Sequence, residues 1–466
     1  MNQRWREAPK VGVVGGGLAG LGAACVLCEA GFRVSLFERR PYLGGRASSY
    51  QHPGSGEVID NCQHVLLGCC TNLIDFYQRI GVQDRIRWYD RLTFLEPGGR
   101  ASVIAPSALP APMHTAPAFL RAHCLDFADK LGIARAMMAL APTVPREHGE
   151  SFLNWLKRHG QTERAIERFW KTILVSALNE DLDRMSVPYA AQVIRESFLK
   201  SADAGRMGVP TIPLTELYNA AGAYIEKHGG EVRLRAAVQS FRAEPSGVQL
   251  QIPDGNQQLD YLVMAVSFDI LPRMLPDSAA AQPLREMLEH FEGSPITGVH
   301  LWFDREISEL DHAVLLDRTI QWMFHKSRFN IRHRGTGSYV ELVVSSSKSL
   351  VEKSRAEIEE LAVRELQEFF PAAREAKLVK STVIKEVHAT YSPVPGVDAF
   401  RPRPETAWPR VFLAGDWTAT GWPATMEGAV RGGYQAAEAL ARVAGADRTN
   451  FVVADLPALG FMRLFG

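Results

Sequence analysis

The sequence predicts an α/β protein built on a Rossmann-like nucleotide-binding unit, and three observations predict it. First, Gly15-x-Gly17-x-x-Gly20 sits between a strand-like run, KVGVV, and an apolar helical run. Second, another strand-like run, FRVSLFE, follows and ends on an acid, Glu38. Third, RVFLAGDW near the other end reads as a strand, Val411 to Ala414, then Gly415-Asp416, a loop and a helix from about Met426.

The glycine stretch has a rival reading. VGVVGGGLAGLGAACVLC carries no charge and follows Arg4, Arg6 and Lys10, the outline of a secretory signal. However, Gly15 to Gly17 interrupt the run, and each glycine costs a helix about 1 kcal/mol relative to alanine. A lipoprotein box fails as well, because Gly22 stands where leucine is expected before Cys25. As a phosphate cradle the same residues are consistent. Gly15 permits the turn, Gly17 admits a pyrophosphate, and Gly20 brings helix and strand together. The helix start at Leu18 and Ala19 directs N–H groups at the phosphates, and Gly31 closes the helix. Glu38 can accept from a ribose diol. A glycine-rich packing turn without a ligand is the alternative.

With 466 residues the chain exceeds one ordinary core and should divide into about two domains. Lysine plus arginine balance aspartate plus glutamate at 52 each, so nothing favours a nucleic-acid partner. All six cysteines fall between Cys25 and Cys124, which suits reduced intracellular thiols better than a disulfide framework. Cys25 and Cys28 form a lone CxxC in small apolar surroundings, read as buried helix cysteines, and no metal site is expected.

Downstream of Glu38 come Arg39 and Gly44-Gly45-Arg46, a second phosphate-side turn with cations. This suits a retained cofactor that extends further into the protein. Asp416 is placed for a ribityl hydroxyl, and a helix start at Thr425-Met426 would oppose the pyrimidine edge of a flavin. Together GGGLAG, FE, LGGR and LAGDW…MEGAV resemble the FAD-dependent amine oxidase and carotenoid desaturase superfamily. IDNCQHVLLGCC, FWKTILVSALNEDLDRMS and GVPTIPLTELY are more specifically similar to hydroxysqualene dehydroxylases. Cys62 departs from the glycine of that pattern, which raises a question about the local backbone.

The resemblance implies a discontinuous FAD-binding domain (1–75, 205–285 and 395–450), a substrate domain (76–204 and 286–394) and an apolar tail (451–466). It implies a strand over 229–241 whose backbone at Val238 meets adenine, a returning strand over 260–271, and a sheet from runs 297–303 and 338–346 over the flavin. No cysteine follows Cys124, so a cysteinyl flavin link near the C-terminal motif is excluded and non-covalent FAD is expected. It further implies a long apolar isoprenoid substrate, hydroxysqualene, whose hydroxyl leaves as water while hydride is delivered. His64 and Gln63 are the candidate catalytic residues; a structural role for His64 is the alternative. Asn179, Glu180 and Asp183 read as a solvated acidic loop.

Phe127, Leu131, Ala134, Met138 and Ala141 recur at helical spacing and read as a core-facing stripe, with a lipid gate as the rival. The tail could share a membrane surface, giving a cytoplasmic or peripheral protein on the inner face of the membrane. An external reductant is required, either NAD(P)H or an electron-transfer partner, and pathway enzymes are candidate partners. Carotenoid desaturase, amine oxidase (with Trp417 and Trp422 as a cage) and non-catalytic flavoprotein partner remain alternatives.

Overall fold

The computed structural model describes residues 7–52, 56–333 and 337–465; Arg4 and Arg6 lie outside them. At its centre is a five-stranded parallel sheet in the spatial order Glu231–Leu234, Arg33–Glu38, Lys10–Val14, Tyr261–Met264, Val411–Leu413. Its inner strands are near-continuous apolar runs because both faces are covered; Val11, Val13, Leu36 and Val263 are all buried.

The stretch read as a possible export signal is the middle of this sheet, a tight turn, and the helix Leu18–Glu29. That helix is buried nearly all round, packed between the sheet and the helix Met426–Val443. Gly433 makes the helix–helix approach possible, since a Cβ there would lie 2.1 Å from the Ala19 carbonyl oxygen. Gly31, at φ +89°, ends the first helix as expected.

A second sheet has seven strands in the order Leu378–Tyr391, Gly293–Phe303, Ser338–Ser345, Trp322–Phe324, His312–Leu315, Leu92–Leu95, Ala101–Ile104. Residues 297–303 and 338–346, both read as strands, are antiparallel neighbours in it, the second as Ser338–Ser345. Alternation sends Val299, Leu301, Leu342 and Val344 into a core with the helix Arg355–Phe369. Gly298, His300, Glu341 and Val343 therefore share the opposite face. The strands of the first sheet come from 10–38, 231–264 and 411–413, and those of the second from 92–104 and 293–391.

Three local expectations need correction. The run 229–241 is two strands, Glu231–Leu234 and Ser240–Glu244; Arg235, at φ +56°, breaks it, and Val238 lies between. The run 260–271 is a strand only over Tyr261–Met264, followed by turns. The helix Phe127–Leu140 buries Ile133, Ala136 and Leu140, so the predicted stripe faces outward except at Ala141, which is buried: Phe127 is 76% and Met138 66% exposed.

Candidate active site

The glycine turn is shaped around an opening. Gly15 has φ +109°, and a Cβ there would sit 2.6 Å from the Ala265 carbonyl oxygen; one on Gly20 would sit 1.9 Å from that of Gly15. At Gly17, by contrast, the nearest atom is the Cα of Gly45 at 3.8 Å. Two of the three glycines are thus required by the protein's own packing, and the middle one faces free space. The helix beginning at Leu18 has no side-chain cap and no acid in its first turn, leaving the N–H groups of Leu18, Ala19 and Gly20 to an outside acceptor.

The second turn folds directly onto the first. Gly44 N–H donates to the Gly16 carbonyl (2.9 Å), and Gly44 and Gly45 both adopt positive φ. Glu38 is buried; one carboxylate oxygen accepts from Gly16 N–H and the other from Arg40 N–H, each at 2.7 Å. Each oxygen keeps a further lone pair for a ribose hydroxyl. Arg39 is exposed, while Arg40 donates to the Gly45 carbonyl (2.9 Å) and braces the turn, a role the sequence reading missed. Val238 lies close after Ala236, whose N–H donates to the Glu38 carbonyl.

Arg46 leaves this turn to meet Asp416 at 2.7 Å and the Ala389 carbonyl at 2.9 Å. Gly415 is packed against the Trp417 ring and Gly432. Thr425 caps the helix Met426–Val443, its hydroxyl accepting from Gly428 N–H. An uncapped helix start at Leu18, a glycine cradle open at Gly17, a buried acid, an Arg–Asp bridge and a second helix start at Thr425 fit an elongated phosphate-containing cofactor such as FAD.

On the other side of Arg46, its carbonyl accepts from the Asn61 side chain, which ties the turn to the DNCQH segment. Cys62 is not among the positive-φ residues, so cysteine needs no strained backbone there. It packs instead with Met207, Val209, Phe324 and Val343, with Ile296 and Trp322 alongside, as a buried apolar cluster. Gln63 is held by Lys326, which donates to its side-chain oxygen at 2.7 Å, while its amide donates to the His64 carbonyl. His64 Nδ1 lies 2.8 Å from the Cys62 carbonyl. Burial pushes its pKa down, so the ring is neutral. A carbonyl can only accept, so Nδ1 carries the hydrogen and Nε2 offers a lone pair rather than a proton.

Beneath these residues is a buried ionic cluster that no motif announced. Lys326 Nζ donates to Asp60 at 2.6 Å and lies 3.2 Å from Glu341. Burial opposes the Asp60 charge, but Lys326, Ser49 and the Leu214 N–H together hold its pKa below the usual carboxylate value. Glu341 is the opposite case. Burial, aided by the charge of Asp60, raises it to about 7 despite Lys326. The available signal was one ionisable residue in each apolar strand, His300 in GVHLWF and Glu341 in SYVELVV.

Other predicted groups are structural. Asn179 is a left-handed helix cap whose side chain bonds Ser294, Thr390 and Ser346, and Glu180 is fully buried against Lys348 and Arg184. Only Asp183 of that run is exposed, so the solvated-loop reading fails for the other two. Trp417 and Trp422 sit in different packing clusters, one bonded to the Val266 carbonyl and the other under Arg431, rather than in one cage. Both cysteines of the CxxC are buried with raised pKa values, Cys28 to about 12.

Comparison with known proteins gives a consistent picture. The profile of a family described as flavin containing amine oxidoreductase matches residues 18–441. The chain is 27% identical to 15-cis-phytoene desaturase of Synechococcus elongatus, covering 92% of this chain and 95% of that one. It is 25% identical to a probable zeta-carotene desaturase of the same organism, covering 92% and 98%. In structure it is similar to an oxidoreductase from Methanosarcina mazei (TM-score 0.71, 18% identity, 91% and 98% covered). Putrescine oxidase gives the same TM-score at 16% identity, with 94% and 99% covered. At such identities the two structures speak for the fold.

Proposed function

The chain belongs to the flavin containing amine oxidoreductase family and is a flavin-dependent oxidoreductase, and from that premise we propose that it reductively removes the hydroxyl of hydroxysqualene to give squalene. The observation that carries this reading is the apolar cluster of Cys62, Met207, Val209, Phe324 and Val343 at the DNCQH turn. Such a surface suits a long uncharged isoprenoid, and the carboxylates nearest it, Asp60 and Glu341, are both paired with Lys326. The motifs IDNCQH and ALNEDLDRMS support the same substrate.

In this reading FAD is held non-covalently. The N–H groups at Leu18, Ala19 and Gly20 take the pyrophosphate, Glu38 the ribose, and Val238 the adenine side. Gly45, Arg46, Asp416 and the helix start at Thr425 and Met426 take the ribityl and ring portions. Bound there, FAD supplies hydride chemistry, recharged by NAD(P)H or by an electron-transfer partner. The apolar cluster keeps water from the reacting carbon.

An apolar substrate needs an apolar source. Leu120, Phe127, Leu131, Met138, Phe461 and Leu464 are exposed large hydrophobic residues. The tail that carries the last two is tied beside the segment 109–120 by Phe461 N–H donating to the Ala111 carbonyl (2.8 Å). We read this surface as one that rests on a membrane, with substrate entering from lipid. No helix of the described residues is long and apolar enough to cross a bilayer.

A second reading, oxidative desaturation of a carotenoid-like polyene, is favoured by the identity to phytoene desaturases. Incubating purified holoprotein anaerobically with hydroxysqualene and a reductant separates the two. Squalene is the expected product. Conversion of a polyene only with an oxidant, and none of hydroxysqualene, replaces the proposal with desaturation.

A further inference from the structure

Gly298 lies beside His300 on the site face of the second sheet, and its missing side chain leaves room for a methyl group between polar atoms. A Cβ placed on Gly298 would be 3.5 Å from the Asn61 carbonyl oxygen, 3.7 Å from His300 Nε2 and 3.9 Å from Glu341 Oε1. His300 and Glu341, paired across the strands, are both 0% exposed, and those two atoms have no hydrogen-bond partner. Leaving such buried atoms unsatisfied destabilises the fold, so a partner that satisfies them is favoured. This room adjoins the apolar cluster, since Val343 pairs with Gly298 and Cys62 follows Asn61. A polar notch beside a greasy cluster matches a greasy molecule carrying one oxygen.

We propose that the notch over Gly298 binds the substrate's hydroxyl group and that Glu341 protonates that oxygen as it leaves. A hydroxyl can donate to one wall atom and accept from another, which a hydrocarbon cannot do. The second part rests on the dehydroxylation reading. The C–O bond breaks with its electron pair on oxygen, the Glu341 carboxyl proton joins that oxygen, and water departs. The carbon gains a hydride equivalent whose two electrons derive, by way of the family's cofactor, from a reduced nicotinamide nucleotide.

The surroundings supply what this role needs. Lys326, 3.2 Å from the other Glu341 oxygen, steadies the carboxylate left behind, and it is itself paired with Asp60. His300 Nδ1 lies 2.8 Å from the Tyr339 hydroxyl. Tyr339, with Tyr50, Trp302 and Glu216, lines an open cavity of about 880 Å³. His300 and Tyr339 thus stand between the notch and that cavity. Cys62, whose thiol is pushed up by burial and then by Glu341, completes the titratable groups around the notch.

The test compares binding of hydroxysqualene and squalene to holoprotein, followed by the visible flavin spectrum. Wild type should prefer the alcohol by about tenfold, the worth of one good hydrogen bond. Gly298→Ala fills the notch at ordinary contact distances and should bring the preference close to unity while squalene affinity holds. Glu341→Gln keeps a donor and an acceptor in the same place but no transferable proton, so it should bind the alcohol and fail to convert it. If Glu341→Gln loses its cofactor, Gly298→Ala decides. No preference in wild type, or a preference kept by Gly298→Ala, overturns the proposal. A preference lost in Gly298→Ala without any conversion by wild type upholds the notch and rejects dehydroxylation. Conversion at an unchanged rate in Glu341→Gln overturns the protonating role of Glu341.

Discussion

Arg46 and Asp416 meet at 2.7 Å, so the turn after the second strand is clamped to the start of the C-terminal motif. The Asp416 side chain is nearly buried and that of Arg46 about one-third exposed. Water therefore screens part of the pair, and its loss sits between the surface and buried limits, about 1–3 kcal/mol. Asp416→Asn should lower the urea midpoint of the holoprotein and let FAD escape on gel filtration. An unchanged midpoint and full yellow colour would show that the clamp carries nothing.

The glycines of the first turn should separate by function. Gly20→Ala drives a methyl group to 1.9 Å from the Gly15 carbonyl oxygen and should destabilise the protein whether or not cofactor is bound. Gly17→Ala meets nothing nearer than 3.8 Å and has φ −78°, so the fold should persist while FAD occupancy collapses. Circular dichroism and the ratio of flavin to protein absorbance read both. If Gly17→Ala retains full occupancy, the pyrophosphate does not pass over that residue.

Glu38→Gln replaces an acceptor by an amide between two N–H donors, Gly16 and Arg40. One of those bonds must be lost, and with it the charge offered to a ribose diol. FAD affinity should fall about tenfold or more by the usual value of a charge-assisted bond. Unaltered affinity in a fluorescence titration would remove Glu38 from the cofactor site.

The strand–turn–helix around Gly15, Gly17 and Gly20 was legible because its logic is local: glycine spacing, an adjoining strand and a terminal acid lie within one short segment. Val238 was misplaced within a strand because Arg235, an ordinary residue, takes a left-handed conformation that sequence does not advertise. Periodicity grouped Phe127, Leu131 and Met138 correctly on one face of a helix but could not say which face met the core. Lys326, Glu341, His300 and Asp60 were not legible as a cluster, since cross-strand register and a distant hairpin bring them together.

Glu341 should give stability a specific pH dependence. Its pKa is raised from an unfolded value near 4.3 to about 7. The folded state thus holds its proton more tightly, and this contribution is complete below about pH 4 and disappears as pH rises through 7. The difference corresponds to about 4 kcal/mol. His300, lowered to about 3 by burial, works oppositely, losing stability as pH falls below 6.5. The comparison is therefore between wild type and Glu341→Gln. Their urea midpoints should diverge between pH 7 and 4.5, with wild type gaining relative to the variant on the acid side. Parallel profiles would place the Glu341 titration elsewhere.

The outward stripe bears on how an insoluble substrate reaches the apolar cluster. Phe127, Met138 and Leu464 are 76%, 66% and 78% exposed, an arrangement that water disfavours. Arg121, Arg135 and Arg463 are exposed close to them in sequence and would approach acidic headgroups. Phe127→Ser combined with Leu464→Ser removes two large apolar contacts, about 1.5 kcal/mol or more each if fully buried in lipid. Co-sedimentation with vesicles containing anionic lipid should drop about tenfold or more, while FAD occupancy stays constant because neither residue touches the cofactor cradle. Turnover of substrate supplied in vesicles should fall with it, and turnover of detergent-dispersed substrate should not. Equal sedimentation of variant and wild type would mean that the stripe meets another protein or none, and that substrate enters by a different face.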